Sequence, residues 1–444
     1  MAIIVIVFCC YWPVINGGFL WDDNDFFIND VPEQPTTRLI HASDGLYGIW
    51  FSAEAVDYWP LTLSAFWVQW RCWGMEPQGY HLTNIALHAI GAILIWRVLS
   101  ALRIPGAWLG ALLFSVHPAT VASVAWISEL KNVLSLPLYA CSLLCWIHFE
   151  DTQKKRWYGL ALLTFFLALT AKASTVTLPL LLLGLACWRR GRICRQDYMR
   201  VVPFFLLSLA MGLVTLSLQH KATALLPVRP EGLASRILAS GWVVWHYLLT
   251  ALAPFRLSMV YPRWEVDPAS LVAWFPLTAL VALFALLWGY RRTTTGGPLL
   301  IALGYFVLSL APVLGILSMS FHRYSLVSDH LQYLALPAIT TLIATALVQW
   351  ARNTRRRAVP LGIALSLIVV LSFLTFQRAE VFRSGKNLWR DTIQKNPTAV
   401  VAHVNFGVLL HDEGRFDEAV AHYEKALRIK VGSYEARSNL GLTL

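Results

Sequence analysis

The sequence predicts an all-α polytopic membrane protein with a polar helical tail, and three observations carry that expectation. Of 444 residues, 57% are hydrophobic and 14% charged, whereas a soluble domain carries about 45–50% and about 25%. Mean hydropathy is positive, at +0.56. Apolar runs of bilayer-crossing length recur from residue 2 to residue 376, and beyond them a short pattern returns after 34 residues. An ordinary soluble enzyme, a disordered chain and a fibrous protein are excluded.

The first run, 2–16, is followed by an acidic stretch without a small-residue cleavage pattern, so it reads as an uncleaved helix. It is short, which implies extension to Leu20 or tilt. Further candidates are 80–98, 105–125, 131–149, 157–171, 174–188, 201–218, 271–289, 298–317, 332–350 and 359–376. The hinges set orientation. KKR at 154–156, RRGRICR at 189–195 with Arg200, Arg291-Arg292, RNTRRR at 352–357, Arg97 and Arg103 hold sixteen basic residues against three acids. Residues 17–79 hold nine acids and two arginines. The positive-inside rule places that loop outside and the N-terminus inside. A spanning 236–254 would put Arg291-Arg292 on the wrong side. The expectation is therefore about 11 transmembrane helices, with 236–254 lying along the membrane or re-entering, and an external C-terminus.

The net charge of +11 is concentrated in these hinges, which argues against a nucleic-acid partner. Seven cysteines form no disulfide framework, since most fall in or beside apolar runs. Twenty tryptophans suit membrane interfaces.

The expected transmembrane domain covers 1–376, with 377–395 as connector and 396–444 as tetratricopeptide repeats. Val404-Asn405-Phe406-Gly407 returns as Ser438-Asn439-Leu440-Gly441. Phe406, Gly407, Leu410, Ala419, Tyr423 and Ala426 take the positions of a repeat's helix pair. Small Gly407 and Ala419 permit close helix contact beside Phe406 and Tyr423. The second repeat stops after its first helix, so the sequence reads as cut or incomplete there, because such units need stacked neighbours.

Between the first two spans lies WDDNDFFIND, 21–30, with Asp22, Asp23 and Asp25; Asp30, Glu33, Asp44, Glu54 and Asp57 follow. Crowded carboxylates raise one another's pKa and poise one as a proton acceptor. A solvated acidic turn and a hard-cation site are the competing readings. Residues 44–60 mix Tyr47, Trp50, Phe51, Tyr58 and Trp59 with polar residues, as an interfacial helix or an aromatic belt would. His81, Asn84 and His88 share one helical face, which suits either a cavity wall or a helix–helix hydrogen-bond seam. No third ligand at a fitting interval argues for metal. Glu129 and Lys131 read as an ion pair or as part of a cavity. A phosphate-bearing lipid would need cations at the outer face, where Lys131, Lys172, Lys221, Arg229, Arg236, Arg256, Arg263 and Arg323 are available. Lys172 stands in a tight connection, AKAS. Arg256, Tyr261 and Arg263 follow the ambiguous segment, and Arg323 and Asp329 precede the tenth span.

In order along the chain, WDDNDFFIND, Tyr58 with Pro60-Leu61, GYHLTNIALHA (79–89), His117-Pro118, SVAWISELKNVLS, AKASTVTLPLLLL, YPR (261–263), DHLQYLALP (329–337) and the tail repeat resemble the C-fold glycosyltransferases. Similar chains are bacterial membrane proteins with tetratricopeptide tails and, more distantly, the eukaryotic transmembrane tetratricopeptide O-mannosyltransferases. The resemblance implies a GT-C-like bundle in the bacterial inner membrane that moves a sugar from a polyprenyl-phosphate carrier to a hydroxyl on the extracytoplasmic side. The acceptor would be a protein or glycan recruited by the repeats, and the sugar mannose. By the same resemblance an acid of the first outer loop is the base, Asp23 before Asp22 or Asp25. Lys172 and Arg263 lead as phosphate holders, the transfer is inverting, and no cofactor is implied. Two departures fall on candidate cavity positions. Relatives commonly carry a glutamate after the His-Pro pair, where Ala122 stands, and an arginine after the aspartate, where His330 stands; both point to a shifted substrate preference or weaker activity.

Two other classes compete. A transporter or flippase predicts acids and broken helices at mid-membrane. A non-catalytic scaffold displaying the repeats would need only one or two spans.

Overall fold

A computed structural model describes residues 1–28, 35–52, 58–223 and 228–444, and its regular elements are all helical. Expectations placed on Asp30, Glu33, Glu54, Asp57 and the Lys221 side chain fall outside what is described. Helix α1 (Ala2–Cys10) spans about 14 Å and stops at Tyr11, just before Pro13 removes a backbone donor. Short helices at Asp23–Phe27, Pro35–His41 and Gly45–Phe51 carry the acidic loop. On the last of these, Tyr47 and Phe51 are each 75% exposed, as an interfacial element requires. Helices α2 (Pro60–Trp73) and α3 (Pro77–Ala101) both open with proline in the first turn.

The span expected at 105–125 is broken. Helix α4 (Ala107–Ser115) meets the turn at Pro118 and α5 (Val121–Ala125) with a bend of 57°. Proline cannot continue the ladder, and His117 fills the gap: its Nδ1 accepts from the Ala119 amide at 3.2 Å and its Nε2 donates to the Ala251 carbonyl at 3.1 Å. Every residue from 109 to 130 is buried, so the break lies in the protein interior.

Helices α6 (Leu130–Thr152), α7 (Lys155–Ala171), α8 (Leu178–Arg190), α9 (Arg195–Thr223), α10 (Leu233–Leu252), α11 (Leu271–Gly289), α12 (Gly296–Leu310), α13 (Leu336–Asn353) and α14 (Ala358–Val381) complete the bundle. Among the described residues six helices are long and apolar enough to cross a membrane, or seven if the bent pair counts as one span. Eleven were expected. The difference has a physical reason. Helices α1, α7 and α8 run 9, 17 and 13 residues, below the ~20 that a bilayer core of ~30 Å asks of an untilted helix. Segment 236–254 forms α10, which does not reach the spanning hydropathy.

The tail does not stand apart from the bundle. Helices α15 (Gly385–Lys395), α16 (Val400–Asp412) and α17 (Phe416–Ile429) put Leu388, Trp389, Ala402, Phe406, Leu410 and Tyr423 into the same continuous apolar core as α1, α3 and α13. Trp389 meets Trp21 edge-on at 5.3 Å, and the Gly18 amide donates to the Arg383 carbonyl at 3.3 Å. The tail thus packs against the acidic turn. Close contact of α16 and α17 depends on Gly407, where an added Cβ would lie 2.5 Å from Tyr423 Cε1. Gly407→Val should therefore destabilise the tail by about 1–3 kcal/mol, read as earlier proteolysis of residues beyond 396 with the bundle intact.

Candidate active site

The acidic turn is held by backbone amides. Asp23, fully buried, accepts from the Leu20 amide at 2.8 Å through Oδ2 and from the Ser128 amide at 2.7 Å through Oδ1. Trp126 donates its indole N–H to the Leu20 carbonyl at 3.1 Å, and Trp21 stacks on it with ring centroids 5.5 Å apart. Trp21 has φ +47°, a left-handed conformation costing roughly 1–2 kcal/mol for a bulky residue. The stack and the two clamped amides hold it there. Burial pushes Asp23 up to about 7, opposed by the Leu20 and Ser128 amides.

Asp22, one residue earlier, is half-buried. Burial pushes it up to about 7; Lys131 and Arg323 oppose the rise, while Asp25 and Glu129 add to it. Asp25 fixes the turn through its carbonyl, which accepts from Thr37 Oγ1 at 2.6 Å.

Beside this turn lies a buried charge cluster. Glu129 is 1% exposed and pairs with Lys131 Nζ at 2.8 Å and Lys172 Nζ at 3.9 Å. Asn132 donates to Glu129 Oε2 at 2.5 Å and accepts from Lys172; its amide nitrogen also reaches the His330 carbonyl at 3.1 Å. Lys131 lies 4.6 Å above the Trp59 ring. Lys172 occupies an extended residue between α7 and a 3-10 turn, which carries its ammonium across to Asn132. Burial pulls Lys172 down to about 8, with Glu129 resisting and Lys131 adding to the fall, so it stays protonated at neutral pH. His330 Nε2 is 3.8 Å from Glu129, and burial pulls the imidazole down to about 4. Among the described residues two ammonium groups face the Glu129 carboxylate.

The remaining sequence candidates divide. Tyr261 donates to Asp329 Oδ1 at 2.6 Å, and Asp329 Oδ2 lies 3.7 Å from Arg378, which bonds Asp391 at 2.7 Å. Burial pushes Asp329 up to about 6 against Arg378. Arg263, expected to hold phosphate, pairs with Glu231 at 2.7 Å beside Arg229 and Arg236. Burial raises Glu231, but hydrogen bonds from Arg263 and Arg229 prevail and hold it down at about 2. Arg256 lines a separate hollow with Lys395. Arg323 is exposed, with its Nε on the Ser320 carbonyl at 3.3 Å.

On α3, Asn84 donates to the Trp126 carbonyl at 3.3 Å. His88 donates from Nε2 to the Ser115 carbonyl at 3.0 Å and accepts from the Tyr333 hydroxyl at 2.7 Å. Both form a helix–helix seam. His81 is buried, with its Nε2 close to Gly17.

Sequence reasoning did not single out Asn132, Arg378, Asp391 or Lys395. Asn132 sits in the SELKN run beside two residues already noted, and Asp391 and Lys395 carry the i,i+4 spacing of a helical ion pair. Nothing local marks Arg378.

No protein-family model matches the chain. Protein O-mannosyl-transferase Tmtc1 of Drosophila melanogaster is 30% identical over 197 residues, covering 40% of this chain and 21% of that protein. Protein O-mannosyl-transferase TMTC3 of Homo sapiens is 22% identical over 99% of this chain and 52% of its own length. Across such curated relatives the chain spans from about a fifth to about three fifths of their length. Among solved structures, ArnT from Cupriavidus metallidurans bound to undecaprenyl phosphate aligns over 99% of this chain and 76% of that one, at 13% identity and a TM-score of 0.43.

Proposed function

We propose that the chain is a GT-C-like glycosyltransferase that moves a sugar, mannose in the reading the relatives support, from a polyprenyl-phosphate carrier to a hydroxyl on the side of the acidic turn. One observation carries it: a half-buried carboxylate, Asp22, lies within electrostatic reach of Lys131, which shares the buried Glu129 with a second ammonium, Lys172. Those two ammonium groups are the cations that would meet the negative charge of a sugar phosphodiester. Similarity along nearly the whole chain to protein O-mannosyl-transferases supports the same reading.

In the reaction the acceptor oxygen attacks the anomeric carbon from the face opposite the phosphate. The new O–C bond forms as the bond from carbon to phosphate oxygen breaks, so configuration inverts. The acceptor proton passes to Asp22, and the phosphate leaves as a monoester whose growing charge Lys131 and Lys172 offset. Asp22 is the better base than Asp23, because both Asp23 oxygens already accept backbone amides. The four helices α1, α7, α8 and α13 supply the crossings beyond the seven long ones, giving about eleven. The tail is a tetratricopeptide segment, and its contact with the acidic turn suits a role in presenting the acceptor.

The 57° break at Pro118 favours a transport reading instead. Purified protein in liposomes separates the two. With a radiolabelled polyprenyl-phosphate sugar and a hydroxyl acceptor, transfer yields labelled acceptor and free polyprenyl phosphate. Movement of intact carrier between leaflets without formation of labelled acceptor or free polyprenyl phosphate overturns the glycosyltransferase reading.

A further inference from the structure

Helix α10 borders two adjoining hollows, one of 580 Å³ completed by residues 253–262 and Lys395 and one of 1060 Å³ completed by residues 264–270 and α11, that share His246 and Leu249 in their walls. The smaller holds the cations. Arg256 and Lys395 line it, and no carboxylate is among its lining residues. Among the described residues Arg256 makes no ion pair. Lys395 gives two of its three ammonium protons to the Leu257 carbonyl and to Asp391, each at 2.7 Å. The larger hollow is walled by Trp242, Trp245, Trp264 and Phe275, with Glu265 and Asp267 also lining it. His246 Nε2 and Trp242 Nε1 are buried between these walls without a hydrogen-bond partner. Helix α11 buries only 17% of its apolar window inside the protein, so the larger hollow opens where a bilayer would lie.

We propose that the two hollows together bind an anionic glycerophospholipid of the surrounding bilayer. Its phosphate lies between Arg256 and Lys395, and an acyl chain runs along the tryptophan wall. Charge complementarity fixes the orientation: Glu265 and Asp267 repel the phosphate from the larger hollow, and the cation pair receives it in the smaller. Occupants other than a bulk lipid fit these walls less well. The donor phosphate of the proposed reaction has its own cations across the Asp329-His330 turn, where His330 faces Glu129 while Asp329 faces Tyr261. Because Lys395 belongs to α15, lipid occupancy also ties the tail to the bundle. The binding itself does not rest on the transfer reading.

Native mass spectrometry of the full chain, purified and exchanged into phosphatidylglycerol micelles, tests this directly. Wild type should retain one phosphatidylglycerol. Arg256→Gln should lower retention about fivefold, the worth of one cation at a lipid surface. Ala279→Phe, which fills the larger hollow without removing a polar contact, should lower it as well. Retention equal to wild type in both variants overturns the proposal, as does wild type that keeps no phosphatidylglycerol. Displacement of the bound lipid by stoichiometric polyprenyl phosphate also overturns it and gives the hollows to the carrier.

Discussion

Asp22→Asn lowers sugar transfer by about 100- to 10,000-fold, the usual worth of a positioned general base, and leaves the thermal unfolding of the purified protein nearly unchanged. Asp22 is half-buried, and among the described contacts its carboxylate receives no backbone amide. Its neighbour behaves oppositely. Asp23→Asn sets an NH₂ group against either the Leu20 or the Ser128 amide, leaving a buried donor unsatisfied at a cost of about 1–3 kcal/mol. That variant loses stability first, and activity only as the turn loosens. The pH profile of Asp22→Asn, set against that of wild type, carries the same distinction. A base must be ionised to accept a proton, and Asp22 is pushed up to about 7, chiefly by burial. Transfer should therefore climb from pH 6 to about 7 with unit slope, flatten, and fall again above about 8 as Lys172 loses its proton. The residual rate of Asp22→Asn should be flat across the climb. A climb that survives in Asp22→Asn would move the base elsewhere.

Glu129→Gln should destabilise the protein by about 3–5 kcal/mol, the usual penalty for removing one partner of a buried ion pair. Glu129 is buried, and its loss leaves Lys131 and Lys172 facing each other without the shared anion. Lys172→Gln should act on the other side of the account. It removes a charge-assisted contact to the donor phosphate worth about 1.5–3 kcal/mol, so the donor KM should rise roughly 10- to 100-fold with a smaller change in kcat. The double variant Glu129→Gln/Lys172→Gln removes opposite charges together. Stability should then recover part of the Glu129→Gln loss through coupling of neighbours, while donor binding stays weak. A double variant that regains donor affinity would make the cluster purely structural.

The helical membrane class was legible because hydropathy and length act locally. Runs 80–98 and 131–149 became α3 and α6, each extended at both ends. The break at Pro118 was not, although His117-Pro118 had been noted, because part of its support comes from distant groups, the Ala251 carbonyl and the Thr375 hydroxyl. The Glu129–Lys131 pair could be read from spacing. The bridge from Lys172 to Asn132, 40 residues away, could not, since it depends on how α7 and α6 pack. Asp23 was put first by the family resemblance, and the distant Ser128 amide that occupies its carboxylate could not be read from the sequence. Arg263 was favoured as a free cation for the same reason: Glu231, 32 residues earlier, is its partner. The tail's small residues predicted its internal packing, but its docking on the acidic turn came from Trp21 and Trp389 meeting across the whole chain.

A structure of the protein with an unhydrolysable polyprenyl-phosphate sugar bound tests the central claim most directly. The account predicts phosphate oxygens within hydrogen-bond distance of Lys131 Nζ and Lys172 Nζ, with the Asp22 carboxylate on the opposite face of the anomeric carbon. A phosphate held instead by Arg229, Arg236 and Arg263, with Asp22 turned to solvent, would contradict it.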